Sequence, residues 1–229
     1  MLSAGKHETT GNSDGMESIV IVGAGGHAKV VAQSLRRSSS WELLGFIDEV
    51  NPIRTGEPFE DATILGGREV LKFLAERGVR SLAIAFGDNA ARLERWQQAA
   101  ALGFRFPTIV DPHAIVAQGV RIGEGSYIAA GAIVQPGAEL GSQVIVNTGA
   151  IVEHDCVVGD GAHICPRACL AGHARVGRGA WIGAGALVRD RVNVGESAFV
   201  GMGTVVVRDV QPKILVYGQP AREVRKVQS

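Results

Sequence analysis

The apolar positions along the chain keep two different periods. From Ser18 to about residue 110, short aliphatic runs alternate with stretches whose apolar residues recur at helical spacing. The run Ile19 to Val22 (IVIV) leads through a glycine turn into Ala28 to Arg37, which makes a βα unit. The same pattern predicts a strand over Trp41 to Asp48, a helix over Arg68 to Arg77, a strand over Ser81 to Phe86, a helix over Ala90 to Leu102 and a last strand over Phe104 to Val110. Such alternation implies a small parallel sheet covered by helices.

After Pro112 the period becomes six. Every sixth position from Val116 to Val206 is Val, Ile or Leu, sixteen in succession without a skip. Four residues after each of these stands a mostly small side chain, such as Ala132, Ala150, Ala168 or Ala186. Neither a helix nor an alternating strand has this period, whereas a stacked parallel β-helix does. Each hexad makes one side of a triangular coil, with the aliphatic residue inside and the small one in the corner. Positions 116 to 206 then give about five coils, stacked at roughly the 4.8 Å strand spacing. The expected organisation is a disordered leader (1–17), a Rossmann-like domain (18–112), a β-helix (113–207) and a basic C-terminal tail (208–229).

Composition narrows the function classes. Lys plus Arg and Asp plus Glu both number 23, so no global field points to nucleic acid or to an acidic membrane surface. No apolar run approaches the roughly 18 residues a membrane span needs, and the polar first residues lack a secretory core. A cytoplasmic protein is expected, and three cysteines without CxxC spacing fit a reducing compartment. His163, Cys165, Cys169 and His173 have the chemistry of zinc ligands, but a repeating coil points them in different directions, so no metal is expected.

One hexad breaks the small-residue habit, with Glu153, His154 and Asp155 side by side. Residues 18 apart stack in neighbouring coils, which puts Pro136 below His154, Gly172 above it, and His173 above Asp155. The interior is filled by the aliphatic and small positions, so these side chains point outward. A solvated corner is the plain reading. The functional one is a general base: an exposed imidazole is partly neutral at physiological pH, and Asp155 or Glu153 can hold the tautomer that frees one nitrogen. A second histidine, His163, lies half a turn away, so His154 and His163 approach only across an interface between prisms. A homotrimer with sites in the grooves between subunits is expected, its contact column built from His163, Trp181 and Phe199.

The loop Gly23-Ala24-Gly25-Gly26-His27-Ala28 follows a strand and opens a helix, and Asp48 stands twenty residues beyond Ala28, as in a dinucleotide fingerprint. Glycines let the backbone approach a phosphate, and the helix-start amides stabilise its charge. Only half of a full dinucleotide fold fits before the β-helix begins, which favours a nucleotide-sugar diphosphate over NAD. Asp48 is a candidate for a ribose hydroxyl or a base N–H. His27 either touches the sugar or diphosphate or caps the turn. Gly87, Asp88 and Asn89 close the third strand, a ligand-facing place in a parallel sheet, with Asn89 equally readable as a helix cap.

These motifs together, with Gly45 to Asp48 (GFID), Phe86 to Asn89 (FGDN), Asn147 to Gly159 (NTGAIVEHDCVVG) and Tyr217 to Ala221 (YGQPA), resemble the NeuD/PglD-type sugar acetyltransferases among the hexapeptide-repeat acyltransferases. The departures are Gln219 where the family has asparagine and Ala28 where glycine is common. The resemblance implies a left-handed coil, acetyl-CoA as co-substrate, His154 as base with Asp155 as partner, and His163 near the acetyl thioester. It makes the N-terminal domain the site of a nucleotide-linked sugar. His163, Gly172, His173, Ala184, Gly201 and Arg222 are the acetyl-CoA candidates, Arg222 because the tail is basic enough to meet phosphates. The implied reaction is N-acetylation of a nucleotide-activated amino sugar, most simply a 4-amino-4,6-dideoxy sugar for surface glycans. The alternatives are O-acetylation of sialic acid or another sugar, and a trimeric nucleotide-binding scaffold without catalysis.

Overall fold

The computed structural model describes residues 16–227. The expected leader lies, apart from Met16 and Glu17, outside the described residues. Glu17 already belongs to β1 (Glu17–Val22), which runs into α1 (Gly26–Ser38). Then follow β2 (Trp41–Ile47), β3 (Pro58–Phe59), β4 (Ala62–Gly66), α2 (Val70–Glu76), β5 (Ser81–Ile84) and α3 (Asn89–Ala100). The sheet order is β3-β4-β2-β1-β5, parallel except for the β3–β4 hairpin. That hairpin, in the 49–67 connection, escapes a period count because β3 has two residues and β4 buries a single aliphatic side chain, Ile64, fully. Ile19 to Val22 are all fully buried, as a central strand covered on both faces requires.

The six-residue period becomes a left-handed parallel β-helix of two-residue strands on three faces. Its interior is a column of the aliphatic positions alternating with corner alanines, from Ile128 to Val216. Only Val116 and Ile122, in the first coil, are partly buried. The three faces differ in what they turn outward. One carries Ile115, Ile133, Ile151, Cys169, Leu187 and Val205, all apolar. The second carries Arg121, Glu139, Val157, Arg175 and Asn193. The third carries Ile109, Tyr127, Ile145, His163, Trp181 and Phe199, and its first four are buried beneath the N-terminal sheet and helices.

Two boundaries differ from the sequence expectation. Phe104 to Val110 is not a last strand of the N-terminal sheet: Arg105 makes one bridge to Ser81, while Ile109–Val110 pairs with Tyr127–Ile128 and starts the prism. The aliphatic pair satisfies either sheet locally, and the stacking partner decides. The C-terminal segment is likewise more than a tail. Ile214–Tyr217 pairs with Phe199–Val200 and folds back on Arg222–Lys226, closing the last coil.

The seam between the two parts is polar, and its hydrogen bonds centre on three buried side chains. Arg92 on α3 is 1% exposed, and its guanidinium donates to the carbonyls of Gln143 at 3.0 Å, Gly161 at 2.7 Å and Phe86 at 3.1 Å. Asn89 donates to Gly179 O at 3.0 Å and Ala180 O at 3.1 Å. At the other end Asp111, fully buried, accepts from Ser34 Oγ at 2.5 Å and Arg37 Nε at 3.0 Å. Burial alone would raise the Asp111 pKa; the bonds from Arg37, Ser34 and His113 outweigh that and hold it far below the usual carboxylate range.

Candidate active site

The corner between the apolar and the polar prism faces holds His154. Corner turns need a left-handed backbone at every sixth residue, which glycine supplies at Gly131, Gly137 and Gly149. Asp155 (φ 58°) and His173 (φ 60°) adopt it without being glycine, in consecutive coils of the same corner. Such a conformation costs about 1 kcal/mol for a side chain other than glycine. It throws both side chains out beside His154. Asp155 Oδ2 lies 2.8 Å from His154 Nδ1 and 3.7 Å from His173 Nε2. The hydrogen bond from His154, and then the nearby imidazoles, hold the Asp155 carboxyl below its ordinary pKa, so it stays ionised. Glu153 instead accepts from the backbone N–H of His154 at 3.3 Å.

With the proton on Nδ1 and donated to Asp155, Nε2 is the free nitrogen. It needs room, and glycine provides it: a Cβ on Gly172 would stand 2.6 Å from His154 Nε2, and one on Gly137 would stand 2.4 Å from an Asp155 oxygen. The imidazole and the carboxylate are each about half exposed. Cys156, one residue on, is fully buried, and burial pushes its thiol up to about 11, while Cys165 rises to about 12. Neither thiol is a nucleophile at neutral pH.

The second candidate region is a cavity of about 640 Å³ in the N-terminal part, between the Gly23–His27 loop, the residues after β2 and the Ala85–Asp88 segment. Gly23 is required there, because its φ is +126° and a Cβ would meet the Ala85 carbonyl oxygen at 2.7 Å. Gly25 and Gly26 face open space at the start of α1, whose first turn carries no acidic residue, as suits an anion. Asp48 lines the cavity, but its oxygens accept from the N–H groups of Val50 at 3.1 Å and Asn51 at 2.9 Å and from Arg54 at 2.8 Å. It shapes the loop and holds Arg54 at the rim.

The seam beside this cavity contains His27 and His163, their rings 6.3 Å apart. Burial, then the charge of Arg92, lowers His27 to about 4. Burial, then Arg92 and His27, lowers His163 to about 3, with the Gly87 backbone acting the other way. His163 Nε2 lies 3.0 Å from Asn147 Nδ2, so both rings are neutral and His163 accepts on that nitrogen. Gly87 sits over the His163 ring, Trp181 packs edge-on to it at 4.5 Å, and Phe199 stacks on Trp181 at 5.6 Å.

The candidates named from sequence therefore fall into three groups. His154, Asp155, Gly172 and His173 share the corner, with Glu153 at its edge. Gly23, Gly25, Gly26, His27, Asp48, Gly87 and Asp88 line the cavity. Asn89 does neither of the things expected of it. The helix cap is Asp88, which accepts from Ala91 N, and Asn89 is 9% exposed and bound to the prism. Gly201 is covered, since a Cβ there would overlap the Tyr217 ring. Ala184 lies in a different corner from His154, and Arg222 is an exposed strand residue. Within one chain the acetyl-CoA candidates do not converge. The zinc quartet is dispersed as expected, with His163 on the covered face and Cys169 on the apolar one.

Sequence reasoning missed Arg54, Arg92 and Asn147. Asn147 stood inside a quoted motif without a role. Arg92, one turn after Asn89 on α3, shows no signal of its own.

Comparison with known proteins fits this geometry. The PglD N-terminal domain model matches residues 18–99. The acetyltransferase domain of PglB from Neisseria gonorrhoeae is 35% identical, with a TM-score of 0.86, covering 91% of this chain and 100% of that one. PerB from Caulobacter crescentus, solved with CoA and GDP-perosamine, is 36% identical with a TM-score of 0.86, covering 91% of this chain and 97% of that one. WeeI from Acinetobacter baumannii, at 23% identity, a TM-score of 0.69 and coverage of 91% and 100%, shares the fold. No curated sequence matches. The chain belongs to the NeuD/PglD-type sugar acetyltransferases.

Proposed function

We propose that the protein transfers an acetyl group from acetyl-CoA to the amine of a nucleotide-activated amino sugar, of the 4-amino-4,6-dideoxy class. The observation that carries the reading is His154, tied through Nδ1 to Asp155 at 2.8 Å with the space over Nε2 kept open by Gly172. Nε2 takes a proton from the nitrogen as it attacks the thioester carbonyl. Asp155 stabilises the imidazolium that forms. The Gly172 N–H, which meets no acceptor among the described residues, is placed to donate to the tetrahedral oxyanion. Collapse of that intermediate expels the CoA thiolate, which takes up the proton. No acyl-enzyme is needed, in keeping with the buried, high-pKa thiols. The relatives support the co-substrate and the acceptor class: PerB was solved with CoA and GDP-perosamine, also as variants in which one histidine is replaced.

The nucleotide sugar is assigned to the cavity at the glycine loop. One chain leaves that cavity and His154 at different places, and a second copy supplies the missing wall. The apolar face, with six outward apolar residues in register, ends at the His154 corner and suits a homotrimer in which each groove joins two chains. This face was not the contact column expected from sequence; the His163 end of that column is covered by the chain's own N-terminal part.

The test is thiol release from acetyl-CoA with a panel of UDP-, GDP- and dTDP-linked 4-amino sugars and free sialic acid. Release with a nucleotide-linked amine and none with sialic acid is expected. Release with sialic acid alone would replace this reading with O-acetylation. Nucleotide binding without any release would leave a scaffold.

A further inference from the structure

The corner that holds the base carries more donor atoms than base catalysis uses. One ring nitrogen each of His154 and His173 and an Asp155 oxygen all lie within 4.8 Å of one another. The two rings stand 5.2 Å apart and nearly perpendicular, at 85°, and so are not stacked face to face. Asp155 Oδ2 is between them, 2.8 Å from one nitrogen and 3.7 Å from the other. A tetrahedral zinc ion with ligands at about 2.0–2.2 Å needs donor atoms about 3.3–3.5 Å apart. The two observed spacings bracket that value, and the third, between the two imidazole nitrogens, is within 4.8 Å, so small side-chain rotations close the set. All three side chains are between two-fifths and three-fifths exposed, so an ion reaches them from solvent. Two imidazoles and one carboxylate are the ligand types that suit zinc and exclude magnesium.

We propose that His154, Asp155 and His173 form an inhibitory site for zinc. Its position at the base follows from the left-handed backbone at both Asp155 and His173, which brings a second imidazole to a carboxylate that already serves the first. Binding acts on the base through a tautomer. A neutral imidazole has one proton and one lone pair. With Asp155 on Nδ1, the proton is there and Nε2 carries the lone pair. Zinc on Nδ1 takes that nitrogen's lone pair, so the ring's proton moves to Nε2, and the nitrogen that faces the open space over Gly172 becomes a donor. His173 binds through Nε2 with its own proton on Nδ1, and water fills the fourth position. No proton leaves the site, yet the base is lost.

The binding half of this inference stands on geometry alone, and the inhibitory half rests on the function proposed above. The test separates them. Calorimetry with zinc alone, on the full chain without CoA, whose thiol would compete, is expected to show one ion per chain in the micromolar range and no heat with magnesium. His173→Asn keeps a residue that tolerates the left-handed backbone and should weaken binding at least about tenfold, as should Asp155→Asn. Cobalt in place of zinc should give the intense visible absorption of a four-coordinate ion, absent in both variants. Thiol release is then measured for each variant with and without zinc, every variant being compared with itself, and the His173→Asn enzyme should keep its rate at a zinc concentration that silences the parent. Absence of binding up to about 100 µM zinc, or equal binding by His173→Asn, overturns the site. Binding without loss of thiol release overturns the inhibition. A chain that releases no thiol from any acceptor in metal-free buffer refutes the function and leaves the calorimetry standing.

Discussion

His154 and His163 lie nine positions apart on neighbouring stretches of one coil, and the molecule treats them in opposite ways. His154 stands in a corner turn, about half exposed, with a carboxylate on one nitrogen and open space on the other. His163 is on a strand that points outward from the prism yet is 5% exposed, because the N-terminal part covers it. There burial and the Arg92 charge keep the ring neutral far into the acid range. An outward position in a β-helix thus fixes the direction of a side chain and leaves its environment to whatever packs on that face. The corner keeps an imidazole available for proton transfer. The seam makes one a fixed neutral acceptor.

The largest effect expected from this contrast is on turnover. His154→Ala should lower the rate of thiol release by about two to four orders of magnitude, with the melting temperature unchanged, because the ring supports little of the fold. Near-parental turnover would remove His154 from the mechanism.

At the seam the corresponding loss is of stability. Arg92→Met strips the donors from the Gln143 and Gly161 carbonyls in a buried place and should cost about 3 kcal/mol. In a protein of this size that is a fall of roughly 6–12 °C in Tm, read by differential scanning fluorimetry. A fall of only a degree or two would mean that the two parts are held mainly by apolar contact.

The smallest effect is the pH dependence of the seam histidines. Their folded pKa values, about 4 for His27 and about 3 for His163, lie below the ordinary 6.5. Between about pH 4 and 6.5 the unfolded chain therefore binds protons that the folded chain refuses. Stability is full above that window and falls on acidification through it, by about 2 kcal/mol per imidazole at pH 5. His163→Asn should flatten the decline of urea midpoint from pH 7 to pH 5. Parallel declines in parent and His163→Asn would show that the seam ring is hydrated.

Much of this was legible along the chain. The aliphatic residue at every sixth position forces the coil, and residues 18 apart stack as the period demands: His154 under Gly172, Asp155 under His173, His163 under Trp181 and Trp181 under Phe199. The glycine loop also lines a cavity. What failed has a common cause. Asn89 was read from its place at a strand end, and Phe104 to Val110 from its apolar pattern, but the prism claims both through partners about 90 and 18 residues away. Such partners leave no local trace.

The sequence by itself determined the period, the stacking and hence which side chains share a corner, because a six-residue repeat has one way to keep aliphatic side chains inside and small ones at the bends. Only the tertiary structure decided which outward side chains meet water. Covering one prism face with the N-terminal sheet and helices depends on shape and on buried donors such as Arg92, and neither is written as a period. The same chemistry, an imidazole, was thereby left open at one place and sealed at another.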